Sequence, residues 1–571
     1  MLRLERYIRP YWAYIIATMA IKLTGALTEL LIPYLMEILL DEKVPTGNLS
    51  SIYWFGLLMI LCAAGCLGFN ILANHMSAKS SGRITESLRH DLFEKLQGLS
   101  TRQMDELTVS SAVSRLTSDT YNVNQLLARI QRLGIRAPIL LLGGIVMMMG
   151  MDVMLSLVLV ALLPIIAVVV WYVTKTSVPL YSKQQRVLDK VVRTVQENIT
   201  GIRVIKALSK TEYEKKRFRD VNEELTAVDM KAGTVTALTN PIASLTLNLG
   251  LTLVVIVGAY RVNGGAIRSG VIVAFLQYFT MILNAMLGVT RIFVMWSKGE
   301  ASAQRVADVL ELPRDLIVAP ETAAEEGAPH IEFDHVTFSY TGIGTNTNDL
   351  SFRLQRGQTL GILGPTGSGK STIINLLMRL YDPDSGCIRI DGQDIRTIPQ
   401  DQLRAKFGMV FQNDFVTEGT IGDNIRFFRD LTMDALDLAA ASAQAAFIEE
   451  KGGMDAAVMV RGNNLSGGQK QRLLIARALA ANPEILVLDD AASALDYQTD
   501  SRLRKALRSR HRDTTTILIA QRISSLRHAD LILVLQDGTV IGAGNHDQLM
   551  TGCEEYRHLA LTQMGDGKEV L

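Results

Sequence analysis

Long apolar runs separated by charged links fill the first half of this 571-residue chain. A helix that crosses the hydrocarbon core of a bilayer needs about 20 mostly apolar residues. Six runs reach about this length, and they cover residues 12–36, 51–75, 128–150, 153–176, 240–261 and 271–296. The pattern therefore predicts an all-α domain with six transmembrane helices.

The links between these runs differ in length and in charge. Those on one side are short, at residues 41–50, around residue 152 and at 261–270, whereas residues 76–127 and 177–239 form long links rich in Lys and Arg. The positive-inside rule places the long links in the cytosol. Because they keep a helical period, we expect the helices to extend well beyond the bilayer. The prediction is a multi-pass protein of the cytoplasmic membrane.

Three ionisable residues fall inside the predicted spans, namely Lys22, Glu29 and Arg291. A charged side chain within a bilayer is costly, so it usually faces a cavity or a partner group. One interpretation is that these residues line a substrate pathway. The alternatives are a Lys22–Glu29 pair, seven residues apart, and packing against a second subunit.

Composition adds two constraints. The net charge is +1 and the mean hydropathy is +0.20, which favours a bilayer as a partner and gives no reason to expect nucleic acid. The four cysteines (Cys62, Cys66, Cys387 and Cys553) are expected to be reduced packing residues rather than metal ligands.

A change of composition marks the boundary between two domains. Residues 312–330 are rich in Pro, Ala and Glu and lack any period, so they are interpreted as a linker. Residues 331–340 then alternate as a β-strand does. The predicted organisation is a transmembrane domain at 1–311, a linker at 312–330 and a second domain at 331–571.

A phosphate-binding loop opens the second domain. The segment consists of Gly364, Pro365, Thr366, Gly367, Ser368, Gly369, Lys370 and Ser371, followed by Thr372. It fits G-x-x-x-x-G-K-[ST], in which backbone N–H groups surround phosphates, the lysine reaches the outer phosphates and the hydroxyl binds Mg²⁺. An apolar run precedes it and a helical pattern follows, which is the context that the motif requires. The predicted ligands are ATP and Mg²⁺.

A second motif, which is acidic, lies about 120 residues downstream of the phosphate loop. The apolar run at 484–488 ends in Asp489 and Asp490. A buried strand that ends in an acid can bring a carboxylate to phosphate-bound Mg²⁺. Asp489 is therefore predicted to be a magnesium ligand together with Ser371.

Between these motifs stands a pentapeptide formed by Leu465, Ser466, Gly467, Gly468 and Gln469. With the six spans and the phosphate loop, it makes nearly the whole chain resemble an exporter half of the ATP-binding cassette (ABC) transporter family, type IV. The resemblance implies an α/β P-loop nucleotide-binding domain with a helical subdomain. It also implies roles for Tyr340 in stacking on adenine, for Gln412 in contacting Mg²⁺, and for Asp496 in the D-loop. The pentapeptide, the family signature, would contact ATP held by a partner domain.

Two positions depart from the family pattern. Asp490 stands where the family usually has a glutamate that polarises the attacking water, and Gln521 stands where it has a switch histidine. Aspartate is shorter by one carbon–carbon bond, about 1.5 Å, and a displacement of about 1 Å can cost about 10²-fold in rate. An amide cannot carry a proton as imidazole does. The site is predicted to bind Mg·ATP and to hydrolyse it slowly.

A complete signature beside an incomplete catalytic pair resembles the degenerate-site subunit of bacterial heterodimeric multidrug exporters. This resemblance implies a partner half that has the glutamate and the histidine, and efflux of amphipathic, drug-like molecules. The alternatives are a homodimer with two slow sites, a peptide or lipid exporter half, and a regulatory subunit that binds ATP without contributing to transport. A soluble cassette ATPase would not need six apolar spans.

Overall fold

A computed structural model describes residues 2–313, 315–320, 327–412, 415–491 and 494–564. Its contacts divide the chain into two compact units. The helical unit comprises Met1–Gln97 and Ser110–Leu312, and the nucleotide unit comprises Gly98–Val109 and Pro313–Leu571.

Helices account for most of the described residues up to Leu310. They are α1 (Glu5–Ile8), α2 (Trp12–Ile38), α3 (Leu49–Gln97), α4 (Thr101–Leu107), α5 (Val109–Ser114), α6 (Thr120–Leu133), α7 (Arg136–Met151), α8 (Val153–Val160), α9 (Leu163–Thr200), α10 (Ile202–Ala207), α11 (Thr211–Ala237), α12 (Thr239–Asn263) and α13 (Ser269–Leu310).

Five helical stretches within the described residues are long and apolar enough to cross a membrane. At about 1.5 Å per residue, the 49 residues of α3 reach far beyond a hydrocarbon core of about 30 Å, as the long cytoplasmic links predicted. The predicted span at 153–176 contains a break that the apolar pattern did not indicate, because α8 ends at Val160 and α9 begins at Leu163. Pro164 has no N–H to donate to the preceding turn and suits the first turn of a new helix.

The apolar core of the helical unit joins α2, α7 and α13. Leu30, Leu140 and Ile282 are buried in it, and the hydroxyl of buried Tyr278 donates to the Leu30 carbonyl over 2.7 Å. Gly144 allows the close approach, since a Cβ there would lie 2.9 Å from Cγ1 of Ile282. Close packing at a small residue is a usual source of stability between membrane helices.

Two of the ionisable residues in the spans have polar partners on neighbouring helices. Lys22 is 5% exposed and donates to Asn70 Oδ1 over 2.6 Å and to Asn74 over 3.2 Å. Glu29 accepts three hydrogen bonds from the guanidinium of Arg136, at 2.8, 3.0 and 3.1 Å. The alternative of a Lys22–Glu29 pair is therefore wrong, because each side chain is held by another helix. The side chain of Arg291 lies outside the described residues.

The described residues of the nucleotide unit contain three sheets. Their strands are β1 (Ile331–Phe338), β2 (Thr347–Leu354), β3 (Thr359–Leu363), β4 (Ser385–Ile390), β5 (Gln393–Asp394), β6 (Phe407–Val410), β7 (Gly419–Thr420), β8 (Ala457–Val458), β9 (Ile485–Asp489), β10 (Thr515–Ile519), β11 (Leu531–Gln536) and β12 (Thr539–Gly544).

The largest sheet positions the site. Its order is β12-β11-β3-β10-β9-β6, parallel throughout except for the edge strand β12. In an open parallel sheet, ligands bind beyond the carboxyl ends of the strands. The register pairs Ile519 at the end of β10 with Asp489 at the end of β9 and Ile362 near the end of β3. The predicted acidic strand end and the phosphate loop after β3 therefore lie at the same edge.

Ten α-helices from residue 370 onward belong to the described part of the nucleotide unit. They are α14 (Lys370–Leu377), α15 (Gln400–Ala405), α16 (Ile421–Arg426), α17 (Met433–Ser442), α18 (Phe447–Glu450), α19 (Gly467–Leu479), α20 (Tyr497–Arg510), α21 (Ile523–Leu526), α22 (His546–Gly552) and α23 (Glu554–Met564). Helices α16 to α19 share one apolar cluster that includes Ile425, Leu436, Phe447 and Leu473. They form the helical subdomain that the family resemblance implied.

The short helix α4 belongs to the nucleotide unit although the long helices flank it in the chain. Gln103 donates to the carbonyl of Pro313 over 2.7 Å, and the Ser100 hydroxyl donates to Asp315 over 2.5 Å. The Tyr381 hydroxyl donates to the carboxylate of Asp105. Polar contacts thus fix this helix on the nucleotide unit.

Candidate nucleotide-binding site

Backbone shape gives the phosphate loop its opening. Gly367 and Gly369 have φ of +87° and +94°, in the left-handed region that favours glycine. A Cβ at Gly369 would lie 2.5 Å from the carbonyl oxygen of Asn346, so no larger residue fits. The buried Ser368 hydroxyl has no hydrogen-bond partner among the described residues. An open, glycine-rich loop of this shape fits a phosphate group.

Lys370, the first residue of α14, folds back onto the loop. Its ammonium donates to the carbonyls of Gly364 and Pro365 at 2.9 and 2.7 Å. Burial lowers the pKa of Lys370, and the nearby charges of Asp489 and Asp490 oppose that shift. A phosphate oxygen is a stronger, charged acceptor than either carbonyl. The lysine is therefore placed to exchange its carbonyl partners for nucleotide phosphates.

Ser371 and Asp489 present oxygen ligands side by side. The Ser371 hydroxyl donates to Oδ2 of Asp489 over 2.9 Å. Burial raises the pKa of Asp489, while the hydrogen bond from Ser371 lowers it. Mg²⁺ prefers oxygen ligands and is held by one or two protein groups plus phosphates. This pair of oxygen ligands fits that ion, and the Asp489 carboxylate would offset part of its charge.

A cavity of about 310 Å³ joins these groups to most of the predicted site. Its lining consists of Tyr340, Asn346, Thr366, Gly367, Gly369, Lys370, Ser371, Thr372, Gln412, Asp489, Asp490, Ile519 and Gln521. Of the residues predicted to bind ATP, Gly364, Pro365 and Ser368 lie outside this lining. Asn346 and Ile519 are additions that the sequence did not indicate.

One end of the cavity is aromatic. The hydroxyl of Tyr340 accepts from Asn375 over 3.0 Å, and its backbone N–H donates to Asn346 over 3.0 Å. The rings of Phe338 and Tyr381 meet it edge-on, with centroids 4.8 and 5.0 Å away. The ring is thus fixed on several sides while 36% of the residue stays exposed. A rigid aromatic of this kind suits stacking on a purine, the predicted role of Tyr340.

The two departures from the family pattern also line the cavity. Asp490 follows β9 with φ of +50°, and burial raises the pKa of its carboxyl against the charges of Lys370 and Arg522. The turn at Gln521 is held by Gln563, which donates to the Gln521 carbonyl and accepts from Ile523 N–H, both over 2.9 Å. Sequence reasoning missed Gln563, since no local motif connects it to a turn about forty residues away.

The signature residues lie elsewhere in the described part of the unit, because none of them lines this cavity. Ser466 accepts from Gln469 N–H over 3.3 Å, and the Gln469 side chain accepts from Ser466 N–H over 3.0 Å. This reciprocal capping box starts α19. Asp496 likewise caps α20 by accepting from Thr499 N–H over 2.9 Å. The fold uses these motif residues to start helices.

Replacing Lys370 with alanine is expected to weaken Mg·ATP binding at this cavity by about 10²-fold, since several charge-assisted bonds of about 1.5–3 kcal/mol are lost. Binding of a fluorescent ATP analogue to the full-length chain in nanodiscs measures the change. Lys406→Ala is the control: it removes a cation of the same unit that pairs with Glu484 over 3.1 Å, away from the cavity. Equal affinity of Lys370→Ala and the unmodified chain would contradict this assignment of the lysine.

Comparisons with known proteins agree with this geometry. Residues 15–286 match the family "ABC transporter transmembrane region", and residues 347–493 match the family "ABC transporter". An uncharacterized ABC transporter ATP-binding protein, YfiB of Bacillus subtilis, is 33% identical over 570 residues, which cover 99% of both chains.

Two further relatives carry more specific descriptions. The fatty acid ABC transporter ATP-binding/permease protein of Mycobacterium bovis is 33% identical over 469 residues, covering 81% of this chain and 74% of that protein. The solved structure of a bacterial Atm1-family ABC exporter with ATP bound superposes with a TM-score of 0.82. It is 26% identical in sequence, and the match covers 98% of this chain and 99% of that one.

Proposed function

The chain belongs to the ABC transporter family, and from this premise we propose that it is one half of a heterodimeric exporter whose own ATP site hydrolyses slowly. As a family member it is a multi-pass membrane exporter with a cytosolic nucleotide-binding domain and uses ATP with Mg²⁺. The proposal concerns the division of labour between its site and the site of a partner.

The proposal rests on one cavity that is lined both by the groups that bind ATP and by the two residues that depart from the family pattern. Lys370, Ser371 and Asp489, the groups that bind phosphates and Mg²⁺, stand in it together with Asp490 and Gln521. The first group supports tight binding. The second has a carboxylate that is about 1.5 Å short and an amide in place of an imidazole. Binding is thus retained where the groups that activate water are weakened.

The signature supports a partner of a different sequence. Ser466 and Gly467 are exposed at the start of α19 and outside this chain's own cavity. In the family, each ATP lies between the phosphate loop of one nucleotide domain and the signature of the other. A complete signature is useful if it completes a fast site on a partner that has the glutamate and the histidine. Two copies of this chain would instead combine two slow sites.

The transport cycle follows from the position of ATP between the nucleotide-binding domains of the two halves. ATP bound at both sites favours the closed pair of nucleotide domains only through its higher affinity for that state. Hydrolysis at the partner's site then removes the γ-phosphate contacts and allows reopening. The slow site of this chain would keep the two domains associated between cycles.

For the substrate we propose amphipathic small molecules that are exported across the cytoplasmic membrane. The fatty acid named for the mycobacterial relative is itself amphipathic, which also keeps a lipid exporter half as the second candidate. Lys22 and Glu29 are proposed to border the substrate pathway. Their bonds to Asn70 on α3 and to Arg136 on α7 would hold α2 in place beside it. Transport assays with drug-like dyes, lipids and peptides in proteoliposomes distinguish the substrate classes.

Affinity purification of the tagged full-length chain from its native membrane tests the heterodimer. The expected result is a second ABC half of similar length, in equal amount, with glutamate after the aspartate that corresponds to Asp489 and a switch histidine. A second affinity tag on a co-expressed copy of this chain provides the control for self-association. Recovery of only that copy, in a complex that exports substrate, would contradict the heterodimer.

A further inference from the structure

A second, strongly basic cleft lies in the nucleotide unit, away from the ATP cavity. It is defined by Arg504, Arg508, His511, Arg512, Arg527 and His528. Its volume is about 800 Å³, and a neighbouring depression of about 470 Å³ shares all of these residues except His511. These volumes are within the usual range for small-molecule sites.

The basic cleft reaches the amino end of β3, and the phosphate loop of the ATP cavity follows the carboxyl end of the same strand. Thr359, the first residue of β3, and its neighbour Thr516 on β10 line the cleft. The phosphate loop follows the last residue of β3. A ligand in the cleft would therefore bind at the amino ends of strands whose carboxyl ends face ATP. The two sites share no lining residue.

The cations converge from separate segments of the chain. Arg504 and Arg508 come from α20, Arg512 from the following loop, and Arg527 from the end of α21. Basic residues in the last turn of α20 complement its helix dipole, which accounts for Arg508 without any ligand. That explanation does not extend to Arg512 and Arg527, which stand outside the helix.

Few carboxylates compensate this charge. Arg504 is held by Asp500 over 2.9 Å and by the Ser524 carbonyl over 2.7 Å. For the exposed Arg508, Arg512 and Arg527, the described part of the chain offers no ion pair within 4 Å. Asp547 and Asp530 also line the cleft, and Asp530 accepts from Thr359 N–H over 2.8 Å.

The charges of the cleft arginines act on His528. Burial, followed by the charges of Arg508, Arg527 and Arg504, lowers the pKa of His528. Burial and the charge of Arg510, which lies outside the cleft, lower the pKa of His511. A multivalent anion bound beside the cleft arginines would oppose the electrostatic part of the His528 shift.

We propose that the basic cleft binds a small ligand that carries two or more phosphate groups. The planar guanidinium matches phosphate oxygens with two parallel hydrogen bonds, and several such forks around one cavity favour a polyphosphate over a single anion. Arg504, already fixed by Asp500, provides a rigid wall, and the exposed arginines can turn toward the ligand. The chemistry is shared by inorganic polyphosphate and by nucleotides.

Calorimetric titration with inorganic tripolyphosphate, at fixed ionic strength, tests the cleft. The protein is the full-length chain in nanodiscs with Lys370→Ala, so that the phosphate loop does not hold the probe. Adding Arg508→Ala and Arg512→Ala is expected to weaken binding more than about tenfold, the loss for about 1.4 kcal/mol. The control adds Arg404→Ala and Lys216→Ala, which remove two exposed cations outside the cleft.

Equal binding by the cleft variant and the control, whether tight or absent, would overturn the proposal. A parallel titration with ADP separates the two sources of the ligand. Tighter binding of ADP than of tripolyphosphate assigns the cleft to a nucleotide, and the reverse assigns it to inorganic polyphosphate.

Discussion

Replacing Asp490 with glutamate and Gln521 with histidine is expected to raise ATP hydrolysis at this chain's own site by about 10²-fold. Both residues already line the cavity that holds Lys370 and Asp489. The longer carboxylate regains about 1.5 Å of reach toward the attacking water. The imidazole regains a group that can carry a proton near neutral pH.

The measurement is single-turnover hydrolysis in a complex whose partner site has been inactivated. Asp490→Gln combined with Gln521→His is the matched control, because glutamine has the length of glutamate without its charge, and it should stay slow. The backbone at residue 490 has φ of +50°, which aspartate tolerates better than most residues. Thermal unfolding of each variant therefore accompanies the rates. An unchanged rate in a folded double variant would count against the slow-site account.

Replacing Ser466 with alanine is expected to lower hydrolysis by the whole complex by about 10²–10³-fold, the usual loss when one donor to a transition state is removed. The effect would arise on the partner's ATP, since Ser466 does not line the cavity of its own chain. The measurement is steady-state ATPase activity of the purified complex in nanodiscs.

Ser466 also caps α19, so its loss costs about 1 kcal/mol of stability apart from any contact with ATP. Two controls separate these effects. Ser466→Thr keeps both the cap and the hydroxyl, and should retain most of the activity. Thr432→Ala removes a comparable cap from α17 in the same helical subdomain and should leave hydrolysis nearly intact. Full activity of Ser466→Ala would favour a regulatory subunit that does not share in catalysis.

The parts of the fold that depend on local pattern could be predicted from sequence. The bilayer sets a length for apolar runs, so the long membrane helices stood out. The phosphate-binding loop needs a left-handed backbone at residues 367 and 369, and glycine at both positions made that loop recognisable. The break between α8 and α9 was missed because Leu163 and Pro164 continue the apolar run without any polar signal. Apolarity there measures burial in lipid rather than helix continuity.

Residues that act through distant contacts could not be predicted. Gln563 holds the turn at Gln521 from the last described helix, and Tyr381 supports Tyr340 from beyond α14. Asn375 was closer to prediction, since it stands four residues after Ser371 on the same helix. The basic cleft could not be predicted from the net charge of +1, because that value is a sum over the whole chain and does not show where cations cluster.

The nucleotide state at this chain's own phosphate loop tests the central claim most directly. The purified complex is incubated with Mg²⁺ and a radiolabelled, photoreactive ATP analogue, crosslinked during turnover, and its chains are separated before the bound nucleotide is identified. The account predicts that this chain carries ATP over ADP by at least about tenfold, as a rate deficit of about 10²-fold requires, while the partner carries mainly ADP. Equal ADP on both chains would contradict it.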